Sequence, residues 1–304
     1  MKHYSFPSIE QYRNAVKSVR DNCEYHGSPL PTLRLSGSVK LHGTNAGVVR
    51  DLATKVHWAQ SREQIITPES DNAGFARFVA DNGIVFTSLF DSAQDLCRPG
   101  EATHIAIFGE WCGKGIMKGV AINQLEKRFV VFGIRVINDN QLDNNDQPKM
   151  YWFTPDMVKQ VCATVSHDSV FCIYNFKTWE IEIDFAKPEL AQNELVRITD
   201  EVEAECPVGK AFGVSGIGEG VVWRFIGDSE FPAITNMIFK VKGKKHSDTK
   251  VKTTVEVDVE KVANARAFAD AVITDHRLEK MVEKLKESGV AVAIKHTGAF
   301  LKLV

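Results

Sequence analysis

The sequence predicts an α+β chain: antiparallel sheets flanked by helices, followed by a small helical C-terminal domain. Three observations predict it. Short apolar runs, alternating or β-branched, recur at 33–40, 46–49, 55–60, 104–110, 129–136, 221–225 and 236–242, separated by helix-like segments and glycine turns. With 304 residues, 44% apolar and 25% charged, the chain has the make-up of a globular protein with a core, which excludes disordered and collagen-like classes. Beyond residue 246 the alternation stops. Val262, Ala265, Phe268, Ala269, Val272 and Ile273, then Leu278, Met281, Val282 and Leu285, recur at helical spacing.

The expected boundary lies between residues 246 and 247, in the polar stretch around Lys244-Lys245-His246, Lys250 and Lys252. A formal charge of −2 gives no global attraction for a polyanion, so any such partner must be met by a local basic patch. The six cysteines form no C-x-x-C pair and read as reduced thiols. No apolar run reaches the ~18 residues of a membrane span, and none follows Met1-Lys2-His3 as a secretory signal would. The expectation is a cytoplasmic monomer without a membrane partner.

In chain order, Ser8-Ile9-Glu10-Gln11 fits a capping box, opening a helix with Ile9, Tyr12, Val16 and Val19 on one face. After Pro29-Leu30-Pro31 an extended run carries Leu33 and Leu35 to Lys40 at a strand end. Gly43 turns the chain before Ala46-Gly47-Val48-Val49 resumes the extended pattern. A lysine so held beside a glycine suits attack on a phosphate, because backbone and ligand can approach closely; taken alone, a lysine beside a glycine in a turn is usually a solvated charge. The run 55–60 delivers Ser61-Arg62 to its end, where the guanidinium fork suits a triphosphate or a surface ion pair.

Residues 71–97 read as two helices. His104 through Phe108 form a buried-type strand ending in Gly109-Glu110, a carboxylate that needs a partner beyond its apolar run. The segment Trp111 through Gly119 interleaves three glycines with Lys114 and Lys118, and fits either nucleic-acid phosphates or a flexible surface loop. Phe129–Val136 is a β-branched and aromatic strand, and Asn138–Asp146 is a polar turn, a hairpin tip or an insertion. Thr154-Pro155-Asp156 starts a helix through Met157, Val158, Val161 and Val165, and Lys187–Cys206 is a further helix candidate. Gly213–Gly220 gives a flexible entry to Glu219, and the strand after it, 236–242, carries Lys240 and Lys242 at i and i+2 on one face. Two like charges there repel unless a phosphate lies across them.

Taken in order, Lys40-Leu41-His42-Gly43, Ser61-Arg62, Ile107–Glu110, Phe129–Phe132, Glu219–Val222 and Phe239–Lys242 resemble the ordered motifs of the covalent nucleotidyltransferases: DNA ligases, RNA ligases and mRNA capping enzymes. The resemblance spans about residues 30 to 245. It is nearest to the RNA-ligase-2 branch of phage and kinetoplastid RNA-editing ligases, in which His42 stands where DNA ligases and capping enzymes usually carry aspartate. That implies an ATP-grasp-like nucleotidyltransferase domain over 1–246, a helical appendage over 247–304, ATP with Mg2+ or Mn2+, and RNA, as a nicked duplex or bridged ends, as partner.

The resemblance assigns Lys40 as the residue that takes AMP. It places His42, Gly43, Asn45, Arg62, Glu110, Phe132, Glu219, Lys240 and Lys242 around the nucleotide, with Phe132 stacking on adenine. Gly133 departs from the aspartate often found after that aromatic. Lys40, Glu219, Lys240 and Lys242 are expected to be catalytic, and Glu219, Lys240 and Lys242 to matter more for activity than for folding. Glu219 and Asn45 are expected to hold the metal through water.

An unperturbed lysine, with a pKa of ~10.4, leaves only about one amine in 2,500 neutral at pH 7. The metal and the like charges of Lys240 and Lys242 are the groups expected to disfavour the ammonium of Lys40. Other readings are a DNA ligase or GTP-using capping-type enzyme, disfavoured by His42 and the tail, and a nucleotide- or RNA-binding protein without turnover.

Overall fold

The computed structural model describes residues 1–143, 146–227 and 232–246, with eight isolated positions between 266 and 301. The chain divides into two compact units, Met1–Thr254 and Val255–Val304. The helical pattern expected after residue 246 lies outside the described residues, apart from those isolated positions.

The first unit opens with β1 (Glu10–Gln11) and α1 (Tyr12–His26), then β2 (Thr32–Lys40), β3 (Thr44–Asp51), β4 (His57–Ser61) and β5 (Ile65–Ile66). Two helices follow, α2 (Phe75–Asp81) and α3 (Gly83–Asp95), then β6 (His104–Cys112), β7 (Arg128–Leu142) and β8 (Pro148–Trp152). Next come α4 (Pro155–Cys162), β9 (Val170–Cys172), β10 (Thr178–Asp184), α5 (Gln192–Ala204) and α6 (Pro207–Ala211). The last are β11 (Gly220–Phe225), α7 (Pro232–Thr235) and β12 (Ile238–Lys242).

They form two sheets, a five-stranded one in the order β1-β12-β11-β2-β10 and a seven-stranded one in the order β5-β4-β3-β6-β7-β8, with β9 beside β7. Pairing is antiparallel except for β1 with β12 and β9 with β7. The α+β expectation, antiparallel sheets flanked by helices, therefore holds for this unit. The core runs through both sheets and under the helices: Leu35, Val48, Ile107, Phe129, Val131, Trp223 and Phe239 are fully buried, with Phe75, Phe86 and Leu89 packed over them from α2 and α3. Among the described residues no helix is long and apolar enough to cross a membrane.

Several local expectations change. Glu10 and Gln11 belong to a strand pairing with Phe239 and Lys240, so the helix begins at Tyr12, and Gln11 precedes it without a side-chain cap. An available sheet edge outweighs the capping-box pattern. The fourth helix ends at Cys162, before Val165, whereas its start is as expected: Thr154 Oγ1 accepts from the Met157 N–H at 3.3 Å. The strand expected to end at Val136 runs on to Leu142 and returns as β8.

The N-terminal residues tie the two sheets together. On the seven-stranded sheet, Trp58 Nε1 donates to the Lys2 carbonyl (3.2 Å), Gln60 Nε2 to the Tyr4 carbonyl (2.7 Å) and Arg135 to the Ser5 carbonyl (2.6 Å). Five residues after Ser5, the chain has crossed to the edge of the five-stranded sheet as β1.

Candidate active site

Lys40 is the last residue of β2, and four residues later Thr44 begins β3 in the other sheet, so the lysine stands where the chain passes between sheets. The turn is tight. A Cβ on Gly43 would collide with the Trp111 carbonyl and with Cys112, so only glycine lets β2 and β3 meet β6 here. The Gly43 N–H donates to Glu110 Oε1 at 2.8 Å, the partner that carboxylate needs at the end of its apolar strand.

Register gathers the charges. β11 lies between β2 and β12, with Gly220 opposite Lys40 on one side and Lys242 on the other. Glu219, one residue earlier, is thereby held between two ammonium groups: Lys40 Nζ at 2.6 Å from Oε2 and Lys242 Nζ at 3.2 Å from Oε1. His42 Nδ1 donates to Oε2 at 3.1 Å. Gly220 has φ +150°, and a Cβ there would meet the Val241 carbonyl, so the strand can start beside Glu219 only with glycine.

Glu219 is 2% exposed, while Lys40 and Lys242 are 19% and 21% exposed. Burial alone would raise its carboxyl, but the Lys40, Lys242 and His42 charges outweigh this and hold it below the usual carboxylate range. Lys240, on the same face of β12 as Lys242, is depressed by burial and by the cations of Lys242, Lys40 and Arg62. Burial, with a push from Glu219, lifts Glu110 up to about 7 against the pull of Lys40 and the Gly43 N–H.

A cavity of about 300 Å³ opens beside this cluster, lined by Lys40, Gly43, Asn45, Arg62, Glu110, Phe132 and Lys240. His42, Glu219 and Lys242 line a second, adjoining cavity. The residues singled out in the sequence thus fall on one continuous site divided by the Lys40–Glu219 pair. Asn45 is directly opposite Glu110 in the β3–β6 ladder. Phe132 meets Phe6 edge-on, with ring centroids 5.0 Å apart.

Sequence reasoning missed Phe6, Pro7 and Ile9 from the N-terminal crossing, Ile173, and Arg224, all in the cavity wall. Arg224 shares a face of β11 with Val222 and was legible as a strand-face cation; the others are brought in by contacts distant in sequence.

Apolar groups and cations share the cavity wall, a donor set that suits a planar base with a polyphosphate, and the volume is at the lower end of the ~300–1,000 Å³ typical of ligand pockets. The oxygens of Glu219, Asn45 and Glu110 are the hard donors a divalent cation takes. Among the described residues no group of three or more His, Cys, Asp or Glu side chains is placed to hold a metal without further ligands.

A profile of the RNA ligase family matches residues 34–242, and the chain belongs to that family. Solved structures similar to it include Naegleria gruberi RNA ligase with pyrophosphate (17% identity, TM-score 0.48) and a mutant of that enzyme with ATP and Mn (16%, TM-score 0.47). Each match covers 80% of this chain and 57% of that chain, so the present chain spans little over half the length of those ligases. No curated protein matches it.

The Glu110 carboxyl gives a pH prediction. Its folded-state pKa is raised, so between about 4.3, the unfolded value, and about 7 the folded protein binds more protons than the unfolded chain. The stability this group contributes is full below pH ~4.3 and is lost as pH rises through 7. Thermal melts without nucleotide or metal should show Glu110→Gln losing less stability than wild type over that interval; parallel curves would show that the carboxyl does not titrate there.

Proposed function

We propose that the chain is an ATP-dependent RNA ligase that joins a 3′-hydroxyl to a 5′-phosphate. The observation that carries this reading is the register of β2, β11 and β12, which pairs Lys40 with its buried counter-ion Glu219 and sets Lys40 at the wall of a cavity also lined by Arg62 and Lys240. Family membership supports it.

In the first step Lys40, having lost a proton, attacks the α-phosphorus of ATP with its Nζ lone pair. The α–β anhydride bond breaks and pyrophosphate leaves with the electrons, so AMP stays on the lysine through a P–N bond. Arg62 and Lys240, in the cavity wall, bind the phosphates and stabilise the charge growing on the leaving group. Phe132 and Phe6 supply the apolar wall for the base. In the second step a terminal 5′-phosphate oxygen displaces Lys40 from the AMP phosphorus. In the third, a 3′-hydroxyl attacks that 5′-phosphate, AMP leaves, and the hydroxyl proton passes to solvent or a nearby base. A divalent cation held through water by Glu219 and Asn45 would add Lewis-acid stabilisation of phosphate charge.

Incubation with α-labelled ATP and Mg2+ or Mn2+ tests the reading: label should remain on the denatured protein and be released by acid. A protein that binds ATP and never becomes labelled would be a binding module.

The RNA assignment predicts a ribose preference at the 3′ side of the break. The 2′-hydroxyl is both donor and acceptor and enforces A-form geometry there, whereas phosphate contacts are shared with DNA and are salt-dependent. Nicks that differ only in the last two 3′-terminal sugars should be sealed faster when those are ribose, at every salt concentration, under single turnover with adenylylated protein. Equal rates would reassign the chain to DNA ends.

A further inference from the structure

Of the cations in the cavity wall, Lys40, Arg62 and Lys240 serve the phosphates, and Arg224 is left without a task. Register sets it apart from them. Gly220 is opposite Lys40, and Arg224 is opposite Ser36, four residues further along β11, roughly 13 Å at ~3.3 Å per residue. That separation is on the scale of a nucleotide measured from its α-phosphate to the far edge of its base.

Ring contacts also place Arg224 at the base end. Phe6 touches Phe132 at 5.0 Å and Trp152 at 5.3 Å between centroids, and Arg224 Cζ stands 5.2 Å from the centroid of Trp152. Gly133, next to Phe132, leaves room for both: Trp152 Cζ3 lies 3.2 Å and Arg224 Nη2 3.6 Å from the place a Cβ would take. Among the described residues no carboxylate forms an ion pair with the half-buried Arg224, so its fork of N–H donors is available to a ligand. Two parallel N–H donors match guanine, whose O6 and N7 are neighbouring acceptors. Adenine offers only N7 there, and its N6 amino group sets a donor against a donor.

We propose that Arg224 reads the edge of the purine, and that the cavity accepts GTP as well as ATP as nucleotide donor. The inference rests on the ligase reading and widens its substrate class. With GTP, Lys40, having lost a proton, attacks the α-phosphorus with its Nζ lone pair. The α–β anhydride bond breaks, pyrophosphate leaves with the electrons, and GMP stays on the lysine through a P–N bond. Adenine is held by its N7 and by Phe132, guanine by these and by O6.

The test is covalent labelling by α-labelled ATP and by α-labelled GTP, in parallel, with Mg2+ or Mn2+ under single turnover. Wild type should be labelled by both. Arg224→Gln, whose amide matches adenine N6 and N7, should shift the ratio of the two rates toward ATP by about tenfold or more, the scale of one bidentate base contact. Arg224→Lys keeps the charge without the fork and should shift the ratio the same way by a smaller factor. Each ratio is internal to one protein, so a variant that is merely damaged loses both rates together and leaves the ratio unmoved; melting temperatures are measured alongside. Wild type labelled by ATP and not by GTP would overturn the proposal, as would an unchanged ratio in Arg224→Gln. If neither nucleotide labels wild type, the ligase reading falls, and calorimetric affinities of the same three proteins for GTP and ATP decide the role of Arg224 by the same ratio.

Discussion

Lys40→Arg is expected to fold, to keep its ion pair with Glu219, and to acquire no covalent AMP. Arginine retains the positive charge beside a carboxylate that is 2% exposed, so the counter-ion remains in place. Its guanidinium stays protonated at any working pH and has no lone pair to give. The substitution therefore separates the charge of Lys40 from its nucleophilicity. Lys40→Ala should also remain unlabelled, but should melt earlier, because a buried carboxylate loses one of its three donors. Peptide mapping of labelled wild type should place AMP on Lys40. Label at the normal rate on either variant would mean that another residue is the nucleophile.

The second large effect separates Lys240 from Glu219. Lys240→Ala should slow adenylylation by about 10²–10³-fold, equivalent to ~2.7–4 kcal/mol of transition-state stabilisation, and leave the melting temperature unchanged or raised. Its ammonium is already disfavoured by burial and by Lys242, Lys40 and Arg62, so its removal relieves repulsion in the free protein. Glu219→Gln should lose both activity and stability, whereas the resemblance leads to the expectation that alanine at Glu219 removes far more activity than stability. The Gln variant leaves Lys40, Lys242 and His42 without a counter-charge, which costs on the order of 3 kcal/mol, the lower end for a buried pair because both lysines are about one-fifth exposed.

The sign with pH follows from the depressed carboxyl. In wild type the stability from Glu219 is present above the ordinary carboxylate pKa of ~4.3 and lost as pH falls through the lower folded value; the Gln variant lacks that acid limb. Urea melts and adenylylation rates of the two variants decide the matter. A Lys240→Ala protein that melts early but has full specific activity when folded would make that lysine structural.

The sequence made Lys40, Glu219 and Lys242 legible because each lies at a strand end marked by glycine or by alternation, and antiparallel register then determines what they face. The ion pairs among them were not legible, since these depend on which strand lies between which. β10 carried its own signal, Trp179, Ile181 and Ile183 alternating with polar residues, yet it went unread between two helical segments. The helix expected from Ser8 failed because a local capping pattern competes with a sheet edge more than 200 residues away, which no window of sequence contains. Phe6 was invisible for the same reason: its neighbours Phe108, Phe132 and Trp152 all come from the far side of the chain.

The N-terminal crossing also acts as a leash. Its last hydrogen-bonded anchor on one sheet is the Ser5 carbonyl, and its first on the other is Glu10 in β1. Five residue steps at ~3.5 Å each allow a span of at most roughly 17 Å, however the chain is stretched. The sheets cannot part further at this edge unless hydrogen bonds at Tyr4 and Ser5 break. The slit for the nucleotide thus has a mechanical stop set by chain length, and lengthening the leash with inserted glycines between Phe6 and Ile9 would loosen the grip on ATP while leaving every charged group of the site in place.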